Sequence, residues 1–324
     1  MSETTEWAFP DALQPRREQV EFDLDNAVRS VVMVHAEIPD DAFTASVLGT
    51  QRIGSGVVIR SNGLVVTIGY LITEATSIWL TTADGRVVPG HALAYDQATG
   101  FGLVLPLGPL DLPAAERGSG QSLHVGDNVL IMGHGGLAHS LNAKVIALRE
   151  FAGYWEYVLD QALFTAPPHP QWGGTGLFGT NGRLLGIGSL LVQEAVSGET
   201  FDANMFVPID LLDPILEDMV RLGRPAGAAR PWLGLYAQEL QGDLVVGGLA
   251  QGGPAHRSGV RLGDHVREVA GEPIANLAEL FRRIWNIGPA GSQIPLTLAR
   301  GRSTIHVRVP SADRNDFLLK PRRH

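Results

Sequence analysis

Short apolar runs separated by glycine-rich turns fill residues 26–215, and this spacing most constrains how the chain folds. Such runs, with few long helical periods, predict an all-β domain. Residues 209–221 are the exception, because their apolar residues recur at helical spacing, and we expect a helix that closes the domain. Residues 28–35 fit either a strand or a short helix, since their periodicity does not decide between the two.

The length of 324 residues favours two domains. A stretch rich in small residues and prolines, residues 223–231, is typical of a linker. We therefore expect five segments along the chain. They are an N-terminal arm at 1–25, a first domain at 26–222, the linker at 223–231, a second domain at 232–310 and a C-terminal tail at 311–324.

Charge and composition exclude several function classes. The net charge of −9 argues against a nucleic-acid partner, because phosphate binding needs clustered Lys and Arg. The chain has no cysteine, so disulfides and thiolate metal sites are excluded, and its histidines are scattered. We expect no metal and no cofactor.

No apolar run approaches the roughly 18 residues of a membrane span. Residues 1–7 lack the basic start and apolar run of a secretory signal, which favours a cytoplasmic location.

One glycine motif imitates a dinucleotide site. Gly174, Gly176 and Gly179 match G-x-G-x-x-G, with Glu194 about 20 residues further on. A dinucleotide fingerprint must follow a strand and open a helix. Here the motif follows a proline-rich loop and runs into an Asn-Gly turn, so we reject it.

Residues 171–178 read Q-W-G-G-T-G-L-F, and residues 181–187 read N-G-R-L-L-G-I. The two stretches resemble the serine-nucleophile loop of the HtrA (DegP-like) trypsin-fold proteases, G-N-S-G-G-A-L followed by N-G-x-L-I-G-I. Earlier motifs fit the same family in order and spacing. They are G-S-G-V-V-I at 54–59, G-L-V-V-T at 63–67, A-D-G-R at 83–86, D-x-x-x-G-F-G-L at 96–103 and V-G-D at 125–127. The resemblance spans roughly residues 50–310 and implies a mainly β fold, a chymotrypsin/trypsin-like double antiparallel β-barrel followed by an α+β PDZ domain.

The resemblance also locates a catalytic triad whose members are all replaced. Tyr70 stands at the family's His, Gly100 at its Asp and Gly173 at its Ser. A serine attacks only when a base takes its proton and a carboxylate orients that base. Tyrosine titrates near pH 10, and glycine supplies neither a nucleophile nor a carboxylate. Gln171 also replaces the glycine two positions before the nucleophile, which weakens the oxyanion hole.

A relocated site is the alternative. Thr175 lies two residues after the lost serine and His169 four residues before it, and a hydroxyl beside an imidazole is the generic activated nucleophile. Thr175 in a glycine-rich turn and His169 between two prolines also fit ordinary loop residues. His134 fits a surface loop.

The second domain resembles a PDZ domain. Residues 232–235 read W-L-G-L, like a carboxylate-binding loop, and residues 253–264 are similar to the P-A-x-x-A-G-[LI]-x-x-G-D pattern. Asn276 and Glu279 form a capping box that starts a helix. The resemblance implies a peptide site, although the apolar helix residues also fit a core. Its residues are Leu233, Gly234 and Leu235 from the loop, with Leu277, Leu280, Phe281 and Ile284 from the helix.

These observations favour a catalytically inactive HtrA-like protein that binds polypeptide C-termini through its PDZ domain or acts as a scaffold. An active endopeptidase with a rearranged site is the alternative, and a regulatory subunit of an active relative is a third. The family's use of N-terminal arms implies a possible homotrimer, which no residue here specifies.

Overall fold

A computed structural model describes residues 7–196 and 199–319, so residues 1–6 of the expected arm and 320–324 of the expected tail lie outside the described residues. The described residues form two compact units. Residues 150–160 group with the second unit, residues 227–318, although the sequence places them inside the first domain. The remaining described residues form the first unit.

The first unit begins with a closed antiparallel barrel of six strands in the order β1-β2-β3-β6-β5-β4. These strands are β1 Val31–Glu37, β2 Gln51–Val58, β3 Val65–Ile68, β4 Ser77–Thr81, β5 Val87–Tyr95 and β6 Phe101–Pro106. Alternate residues of β1 and β4 point inward, and all of β3 is buried. Valine and leucine therefore fill the interior, as at Val34, Val66, Leu80 and Leu103.

A second closed antiparallel barrel follows in the order β10-β11-β12-β9-β8-β7. Its strands are β7 Asn128–Met132, β8 Ser140–Gly153, β9 Tyr157–Ala166, β10 Gly176–Gly179, β11 Leu184–Val196 and β12 Glu199–Pro208. Its core includes Ile131, Leu141, Leu163 and Phe206, none of which is exposed.

The expected closing helix over 209–221 is divided. A 3-10 turn spans Ile209–Leu211, and helix α3 covers Leu216–Leu222. Pro214 lies between them, and proline lacks the N–H that a continuous helix needs. Residues 28–35 hold both of the structures that the sequence left open, because helix α1 (Leu24–Arg29) ends just before β1. A short helix, α2 (Ala45–Leu48), precedes β2.

The described part of the arm lies on the second barrel. The Phe9 N–H donates to the Ala138 carbonyl at 2.9 Å. The Trp7 ring packs on His139 at a tilt of 30° with ring centroids 4.4 Å apart, and Phe9 meets His169 edge-on at 5.2 Å. Two aromatic side chains of the arm are therefore used to cover buried histidines of the same chain.

The second unit contains an antiparallel sheet in the order β13-β14-β15-β17-β18, and the short strand β16 pairs with β15. The strands are β13 Leu235–Leu240, β14 Asp243–Leu249, β15 His265–Val269, β16 Glu272–Pro273, β17 Gln293–Arg300 and β18 Ser303–Pro310. Two helices, α4 (Pro254–Arg257) and α5 (Leu277–Ile287), complete the α+β domain. The predicted mainly β fold, a trypsin-like domain followed by a PDZ domain, is confirmed.

Helix α5 begins at the predicted capping box. The Asn276 side chain accepts a hydrogen bond from the Glu279 N–H at 2.8 Å. Glu279 in turn accepts from the Ala275 N–H at 2.8 Å, one residue earlier than in the standard box. The first bond satisfies an N–H that the first turn of a helix leaves without a partner, and the second ties the residue before the cap to the helix.

We expect Asn276→Ala to lower the free energy of unfolding by about 1 kcal/mol, because an N–H at the start of α5 loses its acceptor. Urea denaturation of the full chain, followed by tryptophan fluorescence, measures the change. Asn276→Ser is the control, since serine caps nearly as well. Equal stability of the alanine and serine variants would contradict the assigned cap.

Candidate functional site

The loop at residues 171–175 lies against strand β2. The Gly173 carbonyl oxygen accepts a hydrogen bond from the Ser55 N–H at 2.8 Å. Gly174 has φ +77°, and a Cβ there would lie 1.8 Å from the Ser55 carbonyl oxygen. Only glycine fits at 174, so a direct approach of two backbones fixes the loop beside β2.

The Tyr70 side chain fills the space beside Gly173, the position that the family resemblance aligns with serine. A Cβ on Gly173 would lie 2.8 Å from the Tyr70 hydroxyl oxygen. That hydroxyl donates to the Ser189 carbonyl at 2.8 Å. Burial raises the pKa of the Tyr70 phenol, and a hydrogen bond with Trp172 opposes the rise only partly. The phenol is therefore protonated at neutral pH and is no base.

Gly100 lies beside the segment that carries Tyr70. Its carbonyl accepts the Gly69 N–H at 2.6 Å, and its φ of +84° lies in the left-handed region that favours glycine. The carboxylate of this turn belongs to Asp96, which accepts the Thr99 N–H at 2.9 Å and the Thr99 hydroxyl at 2.7 Å. The structure thus brings the three triad-aligned positions together, and Asp96 holds the turn.

The N–H of Gln171 is hydrogen-bonded within its own loop. In trypsin-fold proteases the oxyanion hole uses the N–H of the nucleophile residue and the N–H two positions earlier. Here the Gln171 N–H donates to Nδ1 of His169 at 3.1 Å, and Nε2 of that ring donates to the His139 carbonyl at 3.0 Å. Burial lowers the pKa of His169 to about 4, so the ring is neutral and Nδ1 is free to accept. A substrate oxyanion finds this donor already bonded.

Thr175 and His169, the candidates for a relocated site, have separate partners. The Thr175 hydroxyl donates to the Trp172 carbonyl at 2.9 Å. Both ring nitrogens of His169 bond to backbone groups. Both side chains are fully buried, so neither is open to a substrate in this conformation.

A serine–histidine pair that the sequence analysis missed lies nearby. The Ser55 hydroxyl accepts a hydrogen bond from the backbone N–H of His134 at 3.0 Å. The same hydroxyl donates to Nδ1 of the His134 ring, also at 3.0 Å. Burial lowers the pKa of His134 to about 4. Ser55 is fully buried, which favours a role in holding the loop, and His134 is a partly exposed turn residue. Nothing in the spacing of residues 55 and 134 reveals the pair.

The loop of the second unit already holds a carboxylate. Glu156 accepts hydrogen bonds from the N–H groups of Leu233, Gly234 and Leu235, at 3.1, 2.7 and 3.1 Å. Burial raises the pKa of the Glu156 carboxyl to about 7, while these three donors and the charge of Arg314 act in the opposite direction. The expected carboxylate-binding loop thus takes an acidic side chain of its own chain.

The four expected helix residues of the peptide site lie in the core of the second unit. Leu280, Phe281 and Ile284 are fully buried and Leu277 is 7% exposed. Val158 belongs to the same cluster. These side chains therefore build the core that supports the loop, and residues 150–160 contribute to it.

The described residues contain no group of three or more His, Cys, Asp or Glu that could hold a metal ion. Among the helices of 7–196 and 199–319, none has the length and apolarity to cross a membrane.

We expect Gly173→Ala to destabilise the protein by about 1–3 kcal/mol, because the added methyl meets the Tyr70 hydroxyl. Tyr70→Phe removes only that oxygen, and the next ring atom, Cζ, lies 3.6 Å from the added Cβ. The cost of Gly173→Ala should therefore shrink in the Tyr70→Phe background. A double-mutant cycle by urea denaturation measures the coupling, and strictly additive effects would refute the contact.

Family comparisons agree with this geometry. A trypsin-like peptidase domain model matches residues 54–187, and a PDZ domain model matches residues 231–310.

Curated relatives are serine endoproteases. A "probable periplasmic serine endoprotease DegP-like" of Pseudomonas putida (strain W619) is 26% identical over 263 residues, which cover 77% of this chain and 53% of the relative. The serine endoprotease DegS of Escherichia coli (strain K12) is 26% identical over 279 residues, 81% of this chain and 77% of that one. The chain spans about half the length of the DegP-like relatives it matches. Because these relatives are named periplasmic, the expectation of a cytoplasmic location is wrong.

Solved structures share the fold. The HtrA-type protease AlgW with a decapeptide has a TM-score of 0.55 at 19% identity, covering 93% of this chain and 100% of its own. The serine endoprotease of Yersinia pestis has a TM-score of 0.53 at 22% identity, covering 91% and 99%. The chain thus joins a trypsin-like peptidase domain to a PDZ domain, and it is a homologue of the HtrA serine endoproteases of the DegP and DegS type.

Proposed function

We propose that this chain is a non-catalytic HtrA-type protein that works by binding polypeptide C-termini through its PDZ domain. The observation that carries the first half is the Tyr70 hydroxyl, which lies 2.8 Å from where a Cβ at Gly173 would stand. A protonated phenol fills the place of the nucleophile, and no base or orienting carboxylate faces it among the triad-aligned residues.

The energetic consequence is large. Loss of the nucleophile alone costs about 10⁶ in turnover in a well-studied serine protease. The oxyanion hole supports a residual rate of about 10³–10⁴ over water. In this chain the N–H of Gln171 is bonded to His169, which removes one of the two donors on which even that residual rate depends.

The alternative is an endopeptidase that uses Thr175 and His169. Full burial of both side chains and their bonds to backbone groups argue against it. No observation favours this function over binding, and the following experiment tests it.

The purified full chain should neither cleave casein above background nor react with a fluorophosphonate probe, because no activated hydroxyl lies open in the cleft. Gel fluorescence and release of labelled casein fragments are the measurements, with trypsin as the positive control. Cleavage that Thr175→Ala or His169→Ala abolishes would establish the relocated site instead.

The same assays should stay near background for the triple variant Gly173→Ser, Tyr70→His, Gly100→Asp. Aspartate at 100 must adopt φ +84°, and Gln171 still points to His169. Misplacement by about 1 Å costs about 10²-fold. Strong activity would mean that the cleft is pre-organised for catalysis.

The binding half of the proposal rests on the PDZ domain. Strand β13 lies at the edge of its sheet, and an extended peptide adds to such an edge by main-chain hydrogen bonds. The N–H groups of the Leu233–Leu235 loop suit a carboxylate, as their bonds to Glu156 illustrate. The ligand we propose is a polypeptide with a free C-terminal carboxylate and an apolar last residue.

Such peptides should bind with a Kd of about micromolar, because few residues are ordered and little area is buried. Fluorescence polarisation with a pool of ten-residue peptides ending in Val, Leu, Ile or Phe measures the affinity, and C-terminal amidation should abolish it. Gly234→Val should weaken binding by distorting the loop, since Gly234 has φ +68° and a Cβ would lie 2.8 Å from that of Ala250. Equal binding of amidated and free peptides would refute carboxylate capture.

We also propose a periplasmic location, by likeness to the named relatives. A homotrimer and a regulatory role beside an active relative stay predictions from the family resemblance.

A further inference from the structure

Residues 150–160 pack with the PDZ domain, and Glu156 contacts its carboxylate-binding loop. We propose that this segment is an internal ligand of the PDZ domain, and that the Glu156 carboxylate occupies the loop in place of the terminal carboxylate of a bound polypeptide. The inference rests on the proposed peptide-binding function and names what competes with it.

The hydrogen bonds of Glu156 are those that a terminal carboxylate would use. Its Oε1 accepts from all three N–H groups of the loop, and Oε2 accepts from Leu233 as well at 3.1 Å. The Glu156 side chain is only 4% exposed. These donors are therefore already satisfied, and an incoming carboxylate gains them only by replacing Glu156.

An apolar side chain enters the domain two residues after the carboxylate. Val158 is 8% exposed and belongs to the core cluster that contains Leu233, Leu280 and Phe281. A polypeptide C-terminus would present the same two features, a carboxylate and an apolar side chain. The segment supplies both from within the chain.

The turn between β8 and β9 places Glu156 in a left-handed backbone conformation. Its φ is +62°, a left-handed conformation that is uncommon for glutamate. Such conformations persist where the surroundings determine them, and they occur often at ligand clamps and switches. Here the surrounding contacts are the N–H groups of the loop and the charge of Arg314.

Further contacts hold the segment against α5 and β13. Arg282 on α5 pairs with Glu150 and with Asp160, each at 2.5 Å, so one guanidinium holds both ends. Tyr154 meets Tyr236 of β13 edge-on with centroids 6.1 Å apart. Exposed ion pairs add little stability. The hydrogen bonds of Glu156 are therefore the contact that a test of the segment should remove.

Space for an incoming peptide remains beside the segment. An open cavity of about 420 Å³ is lined by residues from the segment, from β13 and from the start of α5. Glu239 of the edge strand β13 lines this cavity, so a peptide that enters it lies beside the edge of the sheet. The peptide carboxylate must compete with Glu156 for the loop. The wild-type chain should therefore bind peptides more weakly than a variant without the Glu156 carboxylate.

The test compares Glu156→Gly with the wild-type full chain. Glycine removes the carboxylate and adopts φ +62° freely, so the backbone of the turn is kept. Glu156→Gln keeps one acceptor oxygen and should behave between the two. Gln241→Gly is the matched control, because Gln241 also has a positive φ, of 52°, in the same unit but is exposed.

Two readouts are measured. Hydrogen exchange of the amides at 233–235 should be at least ten-fold faster in Glu156→Gly and unchanged in Gln241→Gly. The peptide pool with free C-termini should bind Glu156→Gly at least ten-fold more tightly than the wild type, and amidated peptides should not.

The outcomes separate the two proposals. Unchanged exchange in Glu156→Gly, or equal peptide affinity in the variant and the wild type, overturns the internal ligand. Faster exchange without binding of any peptide to either protein supports the internal ligand and overturns the proposed C-terminal peptide function. Faster exchange with tighter, carboxylate-dependent binding supports both.

Discussion

The first unit depends on a close approach of two backbones, the loop at 171–175 and strand β2. The Ser55 N–H donates to the Gly173 carbonyl at 2.8 Å, and no side chain separates the Gly174 Cα from the Ser55 carbonyl. Gly54 allows the same close approach, since a Cβ there would lie 2.6 Å from the Gly173 carbonyl oxygen. This contact needs glycine at both positions and holds the loop in place without any requirement for catalysis.

The cleft beside this contact keeps the position of a protease site but has different contents. The phenol of Tyr70 fills the space next to Gly173 and bonds to Ser189 across the cleft. Gln171 donates its N–H to His169, whose neutral ring is stabilised by burial. The Tyr70 hydroxyl and the Gln171 N–H are thus both bonded within the protein.

In the second unit, hydrogen-bond donors that already have partners likewise decide whether the loop at 232–235 is free to bind a ligand. Three adjacent N–H groups form a carboxylate site, and a buried carboxylate from residues 150–160 fills it. Leaving such buried donors unpaired costs about 1–3 kcal/mol each. A carboxylate from outside would have to replace those bonds, which is the physical basis of the proposed competition with Glu156.

Several features of the fold and of the candidate site were predictable from local sequence. Glycine-rich turns between short apolar runs indicate an all-β domain, and the family resemblance adds the double barrel. The capping box at Asn276 locates the start of α5, because it depends on residues close in the chain. The glycine at position 173, where the resembling family motif has serine, is likewise readable from one motif. The bond of Ser55 to His134, the turn of Gln171 toward His169 and the capture of the 232–235 loop by Glu156 were not. Each joins groups through space, and two of the three join residues 77 or more positions apart. Hydrogen-bond partners of buried polar groups are chosen by the folded geometry, and the sequence alone leaves that choice open.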